Sequence, residues 1–174
     1  MRDVLLVSLL SGMRQAEIVT LWVEEVVADN DGHLYFNLQQ GKNASAARKV
    51  PVHSSLEVLV GGRMKGKQPR SMLFHELEGR SNPADTDGKR FKRWREIVGV
   101  DDQQAGTRRS LVNFHSARRW FTTKARHAGQ AKEVIGDVIG HQPDKQDITF
   151  GVYAREASED QRRACVQAVR LPNS

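Results

Sequence analysis

The sequence predicts an α+β fold that is predominantly α-helical and contains one small three-stranded antiparallel sheet. Apolar residues recur at three- and four-residue spacing along most of the chain, which is typical of helices packed on a core. Residues 33–39 and 47–53 instead alternate in the manner of strands. The length of 174 residues and the hydrophobic content of 39% suit one domain with its own core.

The elements predicted for the N-terminal half follow one another closely. Gly12 separates the first helical segment from the second. The sequence DNDG indicates a tight turn before the second strand, and the segment QGKNASA forms the tip of the next hairpin and carries Lys42. The predicted elements are helices at 2–12 and 15–22, strands at 23–28, 33–39 and 47–53, and a helix at 54–64.

The C-terminal half is predicted to be helical. Asn113 is a candidate N-cap and Gly129 a C-terminal stop for its longest uninterrupted pattern. The predicted helices are 85–100, 114–128, 130–140 and 147–156, followed by an amphipathic helix within 158–174. Packing is expected from Phe91, Trp94, Ile97 and Val98 in the first of these helices, and from Ala164, Val166, Ala168 and Val169 in the last.

The helix at 85–100 is strongly cationic. Its apolar face is surrounded by Lys89, Arg90, Lys92, Arg93 and Arg95. This pattern is typical of a surface helix packed on a core, and it equally suits a helix that lies along a phosphate backbone. The whole chain has a formal net charge of +6 and a pI near 9.8, which is compatible with acidic partners such as nucleic acid.

Cysteine content and hydropathy limit the class of protein. The single cysteine, Cys165, excludes an internal disulfide framework and a cysteine-rich zinc site, and we expect it to be a small packed side chain. The apolar run VLLVSLL near the N-terminus is too short to cross a bilayer. We therefore expect a soluble, cytoplasmic protein without membrane contacts.

Arg14 lies in the stretch SGMRQAEIVTLW, between two apolar helical segments. A charge close to buried structure is costly unless it is paired. Arg14 therefore either pairs with an internal acid such as Glu17 or receives an anion from outside. The residues around it leave both alternatives open.

A second basic pair lies on the predicted helix at 114–128. His115 and Arg118 are three residues apart and therefore project from the same face. Phe114, Ala117 and Phe121 border that face, so we expect the two polar groups at the edge of the core. Taken alone, such a pair is most commonly part of the surface.

Five stretches in a fixed order change this interpretation. They are SGMRQAEIVTLWVEEV, GKNASAARKVPV, FHSARRWFTT, VIGDVIGH and ITFGVY. Their series resembles the catalytic domain of the tyrosine recombinases, the phage integrase family, and the interval of 23 residues from Arg118 to His141 agrees with that family. The resemblance implies a mostly helical domain with a small antiparallel sheet, as the periodicity predicts.

The resemblance also implies a set of catalytic residues. They are Arg14, Lys42, His115, Arg118, His141 and Tyr153. In this pattern Tyr153 is the nucleophile that forms a 3′-phosphotyrosyl link with DNA, and the two arginines clamp the phosphate. The lysine acts as general acid, with Arg48 and Lys49 on the same hairpin as alternatives. The first histidine assists proton transfer with the tyrosine, and the second donates a hydrogen bond to the phosphate.

Further expectations follow from the same resemblance. Residues 1–155 form the catalytic domain and 156–174 a helical tail, which packs in cis or docks on a neighbouring protomer. The N-terminal DNA-clamping domain usual in the family is expected to be absent, so that the chain is a fragment or a truncated product. The partners implied are double-stranded DNA of the bacterial nucleoid and further copies of the chain, four in a synapse, whereas the isolated chain is a monomer. No cofactor and no metal are implied.

Two features depart from the family pattern. The interval from His141 to Tyr153 is 12 residues, a few more than is most common, and Ala117 stands where a larger apolar residue is usual. Alternatives to recombination are a type IB topoisomerase-like activity, a DNA-binding remnant without catalysis, and a basic helical domain that binds an acidic protein.

Overall fold

The computed structural model of the chain describes residues 1–39, 47–107, 110–141 and 157–172. Within these residues the α-helices are α1 (Arg2–Ser11), α2 (Gln15–Val19), α3 (Glu57–Met64), α4 (Pro83–Ile97), α5 (His115–His127), α6 (Lys132–Ile139) and α7 (Glu159–Gln167). The strands are β1 (Val26–Ala28), β2 (Leu34–Leu38) and β3 (Arg48–Pro51). The predicted class, a mainly helical α+β fold with a three-stranded antiparallel sheet, is confirmed.

The centre of the core lies between α1 and α5. Val4 and Val7 of α1 are fully buried, as is Phe121 of α5. Gly12 ends α1 in the left-handed conformation, with a φ of 67°, and its N–H donates to the carbonyl oxygen of Ser8. The predicted break is therefore confirmed, and the absence of a Cβ at Gly12 lets the Phe121 ring lie directly against it.

α2 is shorter than predicted because the chain after it pairs with a distant segment. The Val23 N–H donates to the carbonyl oxygen of Ser71, and the Leu73 N–H donates to that of Leu21. These bonds hold the backbone extended, so Trp22 points outward and is 42% exposed. Ile18, Leu21 and Trp22 recur in the sequence at the spacing of a helix packed on a core, which predicts that all three are buried. This is confirmed for the first two and is wrong for Trp22.

The sheet has the order β1-β2-β3, and both neighbouring pairs are antiparallel. The first predicted strand is wrong in its first half, because Val23–Glu25 form a 3₁₀ turn before β1. The DNDG turn is held by the Asp29 carboxylate, which accepts from the N–H groups of Asp31 and His33. Leu38 faces Arg48 across the last pair, so the connection that contains Lys42 leaves β2 and enters β3 at this pair.

α4 begins two residues before the predicted start. The Asn82 side chain accepts from the N–H of Asp85, and Pro83 occupies the first turn, where its missing N–H costs nothing. Asp87 on this helix is fully buried and accepts from the Gln15 side chain over 2.9 Å. α4 is thereby tied to the start of α2.

The C-terminal end of α4 departs from the predicted packing. Phe91 is buried as expected, but Ile97 is 73% exposed and Val98 also faces solvent. Arg95, predicted to be on the outer face, is buried instead, with its guanidinium over the Phe91 ring and an ion pair to Asp101 at 3.2 Å. The helix ends at Ile97, and the following loop folds back to place Asp101 beside Arg95. The local apolar pattern therefore does not determine which face of this end of α4 is buried.

α5 and α6 are confirmed with slightly shorter bounds. Asn113 does not cap α5 with its side chain, because its backbone N–H donates to the Ser116 hydroxyl and its carbonyl accepts from the Ser116 N–H. Gly129 adopts a φ of 78° after α5, and Gly140 a φ of 65° after α6, as expected of helix stops. The predicted helix at 147–156 lies outside the described residues.

The C-terminal tail packs on its own chain through α7. Ser158 caps this helix by accepting from the N–H of Gln161. Cys165, Val166 and Val169 are buried against α6 and β3, and burial raises the pKa of the Cys165 thiol to about 11. The packing predicted for this cysteine is confirmed, and docking of the tail on a neighbouring protomer stays a prediction. Within the described ranges no helix has the length and apolar character needed to cross a membrane.

His53 joins the end of β3 to the end of the tail. Its Nδ1 accepts from the Ser55 N–H over 3.0 Å, so its Nε2 carries the hydrogen and donates to the carbonyl oxygen of Val169 over 2.9 Å. Burial first, and then the charge of Arg170, lower the pKa of this imidazole from 6.5, against the opposing effects of the Val169 hydrogen bond and Glu57. The folded state therefore holds His53 neutral.

Acid is expected to destabilise the fold through His53. As the pH falls below 6.5, the unfolded chain takes up a proton that the folded His53 resists, so the free energy of unfolding falls until the folded pKa is passed. Melting temperatures measured from about pH 7.5 down to about pH 5 should therefore drop less steeply in His53→Gln than in the wild type. His127→Gln, at the exposed end of α5, is the control and should keep the wild-type slope.

Candidate active site

A cavity of about 180 Å³ opens where the end of α1, the start of α2 and the start of α5 meet. It is lined by Ser8, Met13, Arg14, Gln15, Phe114, His115 and Arg118. Three of the six residues singled out in the sequence therefore come together here. They are all basic, and they arrive from segments about a hundred residues apart in the chain.

Arg14 is held at the N-cap of α2. Its backbone N–H donates to Glu17 over 2.8 Å and its guanidinium to the same carboxylate over 2.7 Å. A second guanidinium nitrogen donates to the carbonyl oxygen of Gly140 over 3.2 Å. The side chain nevertheless remains 44% exposed, with further N–H groups that have no acceptor among the described residues. The pair with Glu17 and an open face for an anion are thus both present.

Arg118 approaches the cavity from α5 and is almost completely buried. Its Nη1 donates to the carbonyl oxygen of Gly12 over 2.7 Å. Burial, and then the charges of Arg14 and Arg48, lower the pKa of Arg118 to about 10, and the Glu17 carboxylate offsets this only in part. The guanidinium remains charged at neutral pH, at an electrostatic cost that an anion in the cavity would relieve.

His115 lies at the mouth of the same cavity. Partial burial, and then the positive charges of Arg118, Arg119 and Arg14, lower the pKa of its imidazole below 6.5. The neutral form therefore predominates at pH 7, and one ring nitrogen is available to accept a proton.

His141 directly follows the residue that Arg14 contacts. Gly140 ends α6 in the left-handed conformation and its carbonyl oxygen accepts from Arg14. The backbone N–H of His141 donates to the Gly136 carbonyl over 2.9 Å, and the residue is exposed. The end of α6 thus holds the Gly140 carbonyl against Arg14, and the part of His141 in the site stays a prediction.

Glu17 was one of the two alternatives for Arg14 by sequence, but sequence reasoning missed that Arg48 binds the same acid. Glu17 also accepts two hydrogen bonds from Arg48 at the start of β3, one from each terminal nitrogen of the guanidinium. The Arg48 side chain is buried. Burial opposes ionisation of Glu17, but hydrogen bonds and charge from Arg48, and then Arg14, outweigh it and lower the pKa of this acid. The i,i+3 spacing of Glu17 from Arg14 was a usable signal, whereas Arg48 is 31 residues from its acid and left none.

The contacts of Arg48 and Lys49 show how well each suits the role of general acid, for which both were alternatives to Lys42. Arg48 is held in the interior by Glu17 and by the carbonyl oxygen of Val138, which favours a structural role over proton donation. Lys49 points to the other side and approaches Glu159 of α7 at 3.5 Å. Lys42 itself lies outside the described residues.

Tyr153 also lies outside the described residues, in a segment whose flanks are both anchored on α6. His141 bonds to Gly136 at one end. At the other end the N–H of Ala157 donates to the Asp137 carboxylate over 2.6 Å. Tyr153 precedes this anchored Ala157 by four residues.

Two other places among the described residues, a second cavity and a cluster of possible metal ligands, are less suited to binding a phosphate. A wider cavity of about 590 Å³ beside the sheet is lined by Glu17, Glu24 and Glu25, whose charges would repel an anion. Asp29, Asp31 and His33 are close enough to share a cation, but the Asp29 carboxylate already accepts from two backbone N–H groups of its turn. The basic cavity is the better candidate for a site.

Comparison with known protein families gives a match that covers most of the chain. Over residues 1–159 the chain matches the family model described as the phage integrase family. No curated protein and no solved structure matches it significantly. The matched residues include all three basic side chains that meet at the cavity.

Proposed function

The chain belongs to the phage integrase family, and from this membership we propose that it binds a DNA phosphodiester between Arg14, His115 and Arg118 and cleaves it with Tyr153. The observation that carries the proposal is the convergence of two arginines and a neutral histidine on one cavity. Membership of the family supports the reaction class, a site-specific tyrosine recombinase.

The two arginines bind the non-bridging oxygens of the phosphate. A guanidinium can donate parallel hydrogen bonds to two oxygens, and such bonds strengthen as negative charge develops in the transition state. Arg118 is prepared for this role because its charge is buried and destabilised by its neighbours. His141 adds a hydrogen bond to the same phosphate from the end of α6.

Cleavage is a transesterification that exchanges the bond from phosphorus to the 5′ oxygen for a bond from phosphorus to the Tyr153 oxygen. The Tyr153 phenol, with an ordinary pKa of about 10, loses its proton to neutral His115 as its oxygen attacks phosphorus. The bond from phosphorus to the 5′ oxygen breaks, and Lys42 protonates the leaving oxygen. The products are a 3′-phosphotyrosyl link and a free 5′ hydroxyl.

Rejoining is the same reaction in reverse. A 5′ hydroxyl from a second DNA end gives its proton to neutral Lys42 as it attacks the phosphotyrosine, and Tyr153 leaves with the proton that His115 returns. Because the phosphodiester energy is conserved in the covalent link, strand exchange proceeds without ATP, and the arginines supply the positive charge that stabilises the transition state.

Exchange between two duplexes requires several copies of the chain on double-stranded DNA. We propose four in the synapse and a monomer in isolation. A chain that contacts DNA only through this domain is expected to bind it with a strong salt dependence, because each phosphate contact releases counterions.

Trapping of covalent adducts tests the proposal. The wild type and Tyr153→Phe are expressed in cells that carry the native flanking DNA, the lysate is denatured, and the ends of protein-linked fragments are sequenced. Adducts through a 3′-phosphate are expected from the wild type and not from Tyr153→Phe. The matched control is Tyr35→Phe, since the sequence contains only two tyrosines and Tyr35 lies in β2, where its hydroxyl bonds to Asp29; this variant should still form adducts.

The other outcomes separate the competing functions. Adducts spread over unrelated sequences, with relaxation of supercoiled plasmid by the monomer, would favour a topoisomerase-like activity. Binding of DNA without any adduct from the wild type would contradict the enzymatic proposal and leave a DNA-binding remnant.

A further inference from the structure

A buried guanidinium joins three elements behind the candidate active site. Arg48 opens β3, and its side chain is only 6% exposed. Its Nη1 and Nη2 donate to the two carboxylate oxygens of Glu17 over 3.2 and 3.0 Å, and its Nε donates to the carbonyl oxygen of Val138 over 2.9 Å. The planar fork therefore fixes the orientation of α2 relative to the last turn of α6.

Arg14 closes this network into a ring. It donates to the same Glu17 carboxylate through both its backbone N–H and its guanidinium. Its second guanidinium nitrogen reaches the carbonyl oxygen of Gly140, two residues beyond Val138. Both arginines thus contact one acid and one helix end, so a displacement of Arg48 moves the groups that hold Arg14.

Gly140 makes the close approach of Arg48 possible. An added Cβ at this position would lie 2.8 Å from both Cζ and Nη1 of Arg48. Its φ of 65° is also one that residues with a side chain rarely adopt. The helix end that carries His141 is therefore packed directly on the guanidinium.

The network also keeps the site positively charged. Glu17 with Arg14 alone would form a neutral pair, and the field of Arg14 at a bound phosphate would be largely cancelled. Arg48 adds a second positive charge to the same carboxylate, so the three groups together retain a net positive charge beside the cavity.

We propose that Arg48 is a positioning residue for DNA cleavage, which orients Arg14 through Glu17 and the His141-bearing end of α6 through Val138 and Gly140. The inference rests on the proposed function, since it assigns Arg48 a part in the same reaction. It differs from proton donation, because Arg48 acts through Glu17, Val138 and Gly140.

Arg48→Lys tests this role while keeping the positive charge. A single ammonium can reach Glu17 or Val138 but cannot bond to both carboxylate oxygens and the carbonyl in one plane. The substrate is a DNA duplex that contains the cleavage site identified by the adduct-trapping experiment. On this duplex the single-turnover cleavage rate is expected to fall by about 10- to 100-fold, because small misplacements of reacting groups are costly. The dissociation constant for DNA should change by less than about threefold, because most phosphate contacts remain.

Arg63→Lys is the matched control. Arg63 is also a largely buried arginine, and its fork bridges Asp3, Glu76 and the carbonyl of Leu73 outside the site. Its replacement should lower the melting temperature but leave the cleavage rate unchanged. If both variants lose stability and neither loses rate, Arg48 is merely structural and the inference is wrong.

A coupling measurement distinguishes action through Arg14 from an independent effect. If Arg48 acts in part by orienting Arg14, then Arg48→Lys should reduce the cleavage rate by a clearly smaller factor in an Arg14→Lys background than in the wild type, and the remaining factor reports the route through α6. Rates that multiply would show that the two residues act separately and would overturn the proposed route.

A readout without catalysis separates this inference from the proposed function. The heteronuclear NOE of the Arg14 Nε–H signal reports the order of that side chain in the intact chain without DNA. It should fall in Arg48→Lys and also in Gly140→Ala, which displaces the guanidinium without removing a charge, but not in Arg63→Lys. Gly129→Ala is the control for backbone strain, because Gly129 also has a positive φ, 78°, but no atom lies within 4 Å of its added Cβ. Unchanged Arg14 order in both variants would contradict the inference, even in a chain that never cleaves DNA.

Discussion

Replacing Arg118 by lysine is expected to reduce DNA cleavage by about 100- to 1000-fold, the usual effect of removing one donor from a transition-state anion site. The guanidinium can donate to the Gly12 carbonyl and to a phosphate oxygen at the same time. A lysine at this position keeps the charge and the Gly12 bond but loses the second, parallel donor. The loss should therefore appear in the rate of adduct formation and much less in DNA affinity.

The control for Arg118→Lys comes from the same helix. Arg126 is exposed in the last turn of α5, so Arg126→Lys makes the same chemical change outside the cavity and should cleave at the wild-type rate. Adduct formation is followed over time on the trapped site, and melting temperatures confirm that both variants fold. Cleavage by Arg118→Lys at the wild-type rate would refute the assignment of Arg118 to the phosphate.

Gly12→Ala is expected to destabilise the fold by about 2–5 kcal/mol, which combines a left-handed backbone penalty with overpacking. The residue has a φ of 67°, and its new Cβ would lie 2.6 Å from the Phe121 ring and 2.7 Å from the Ile139 side chain. Neither neighbour can move freely, because both pack in the core between α1, α5 and α6. The melting temperature should fall by roughly 2–4 °C for each kcal/mol in a chain of this size.

Gly99→Ala separates the two causes of this loss. Gly99 has nearly the same φ, 68°, but no atom lies within 4 Å of its added Cβ. It should therefore lose only the backbone part, about 1–2 kcal/mol. Equal losses in the two variants would show that the contact with Phe121 and Ile139 contributes nothing. Gly12→Ala should in addition slow cleavage, since the Gly12 carbonyl holds Arg118.

Helix stops and the centres of the helices could be predicted from the sequence because they depend on near neighbours. Gly12, Gly129 and Gly140 end helices as expected, since only glycine adopts the left-handed conformation at little cost. The failures lie where a distant segment competes. Trp22 is exposed because the chain pairs with residues 71–73, and Ile97 is exposed because the loop after α4 offers Asp101 to Arg95.

In the candidate site, too, some residues could be predicted from the sequence and others depended on distant segments. Its basic members were found from motifs and their order, and the family match over residues 1–159 supports that interpretation. Of the residues that hold these basic groups in place, Glu17 was proposed as a partner of Arg14, but the contact of Arg48 with Glu17 was not foreseen. Arg48 was one of three cations on a hairpin by sequence, and nothing local distinguished it from Lys49, which faces the solvent and Glu159.

The sequence by itself determined the class of fold, the glycines that end helices and the family, because these are read from local periodicity, from glycine conformation and from the order of motifs along the chain. Only the tertiary structure decided which partner each charge has. Arg14 reaches the carbonyl of a residue 126 positions away, and Arg118 that of one 106 positions away. A charged side chain near the core must find a partner to offset its lost hydration, and in a folded chain that partner is chosen by proximity in space.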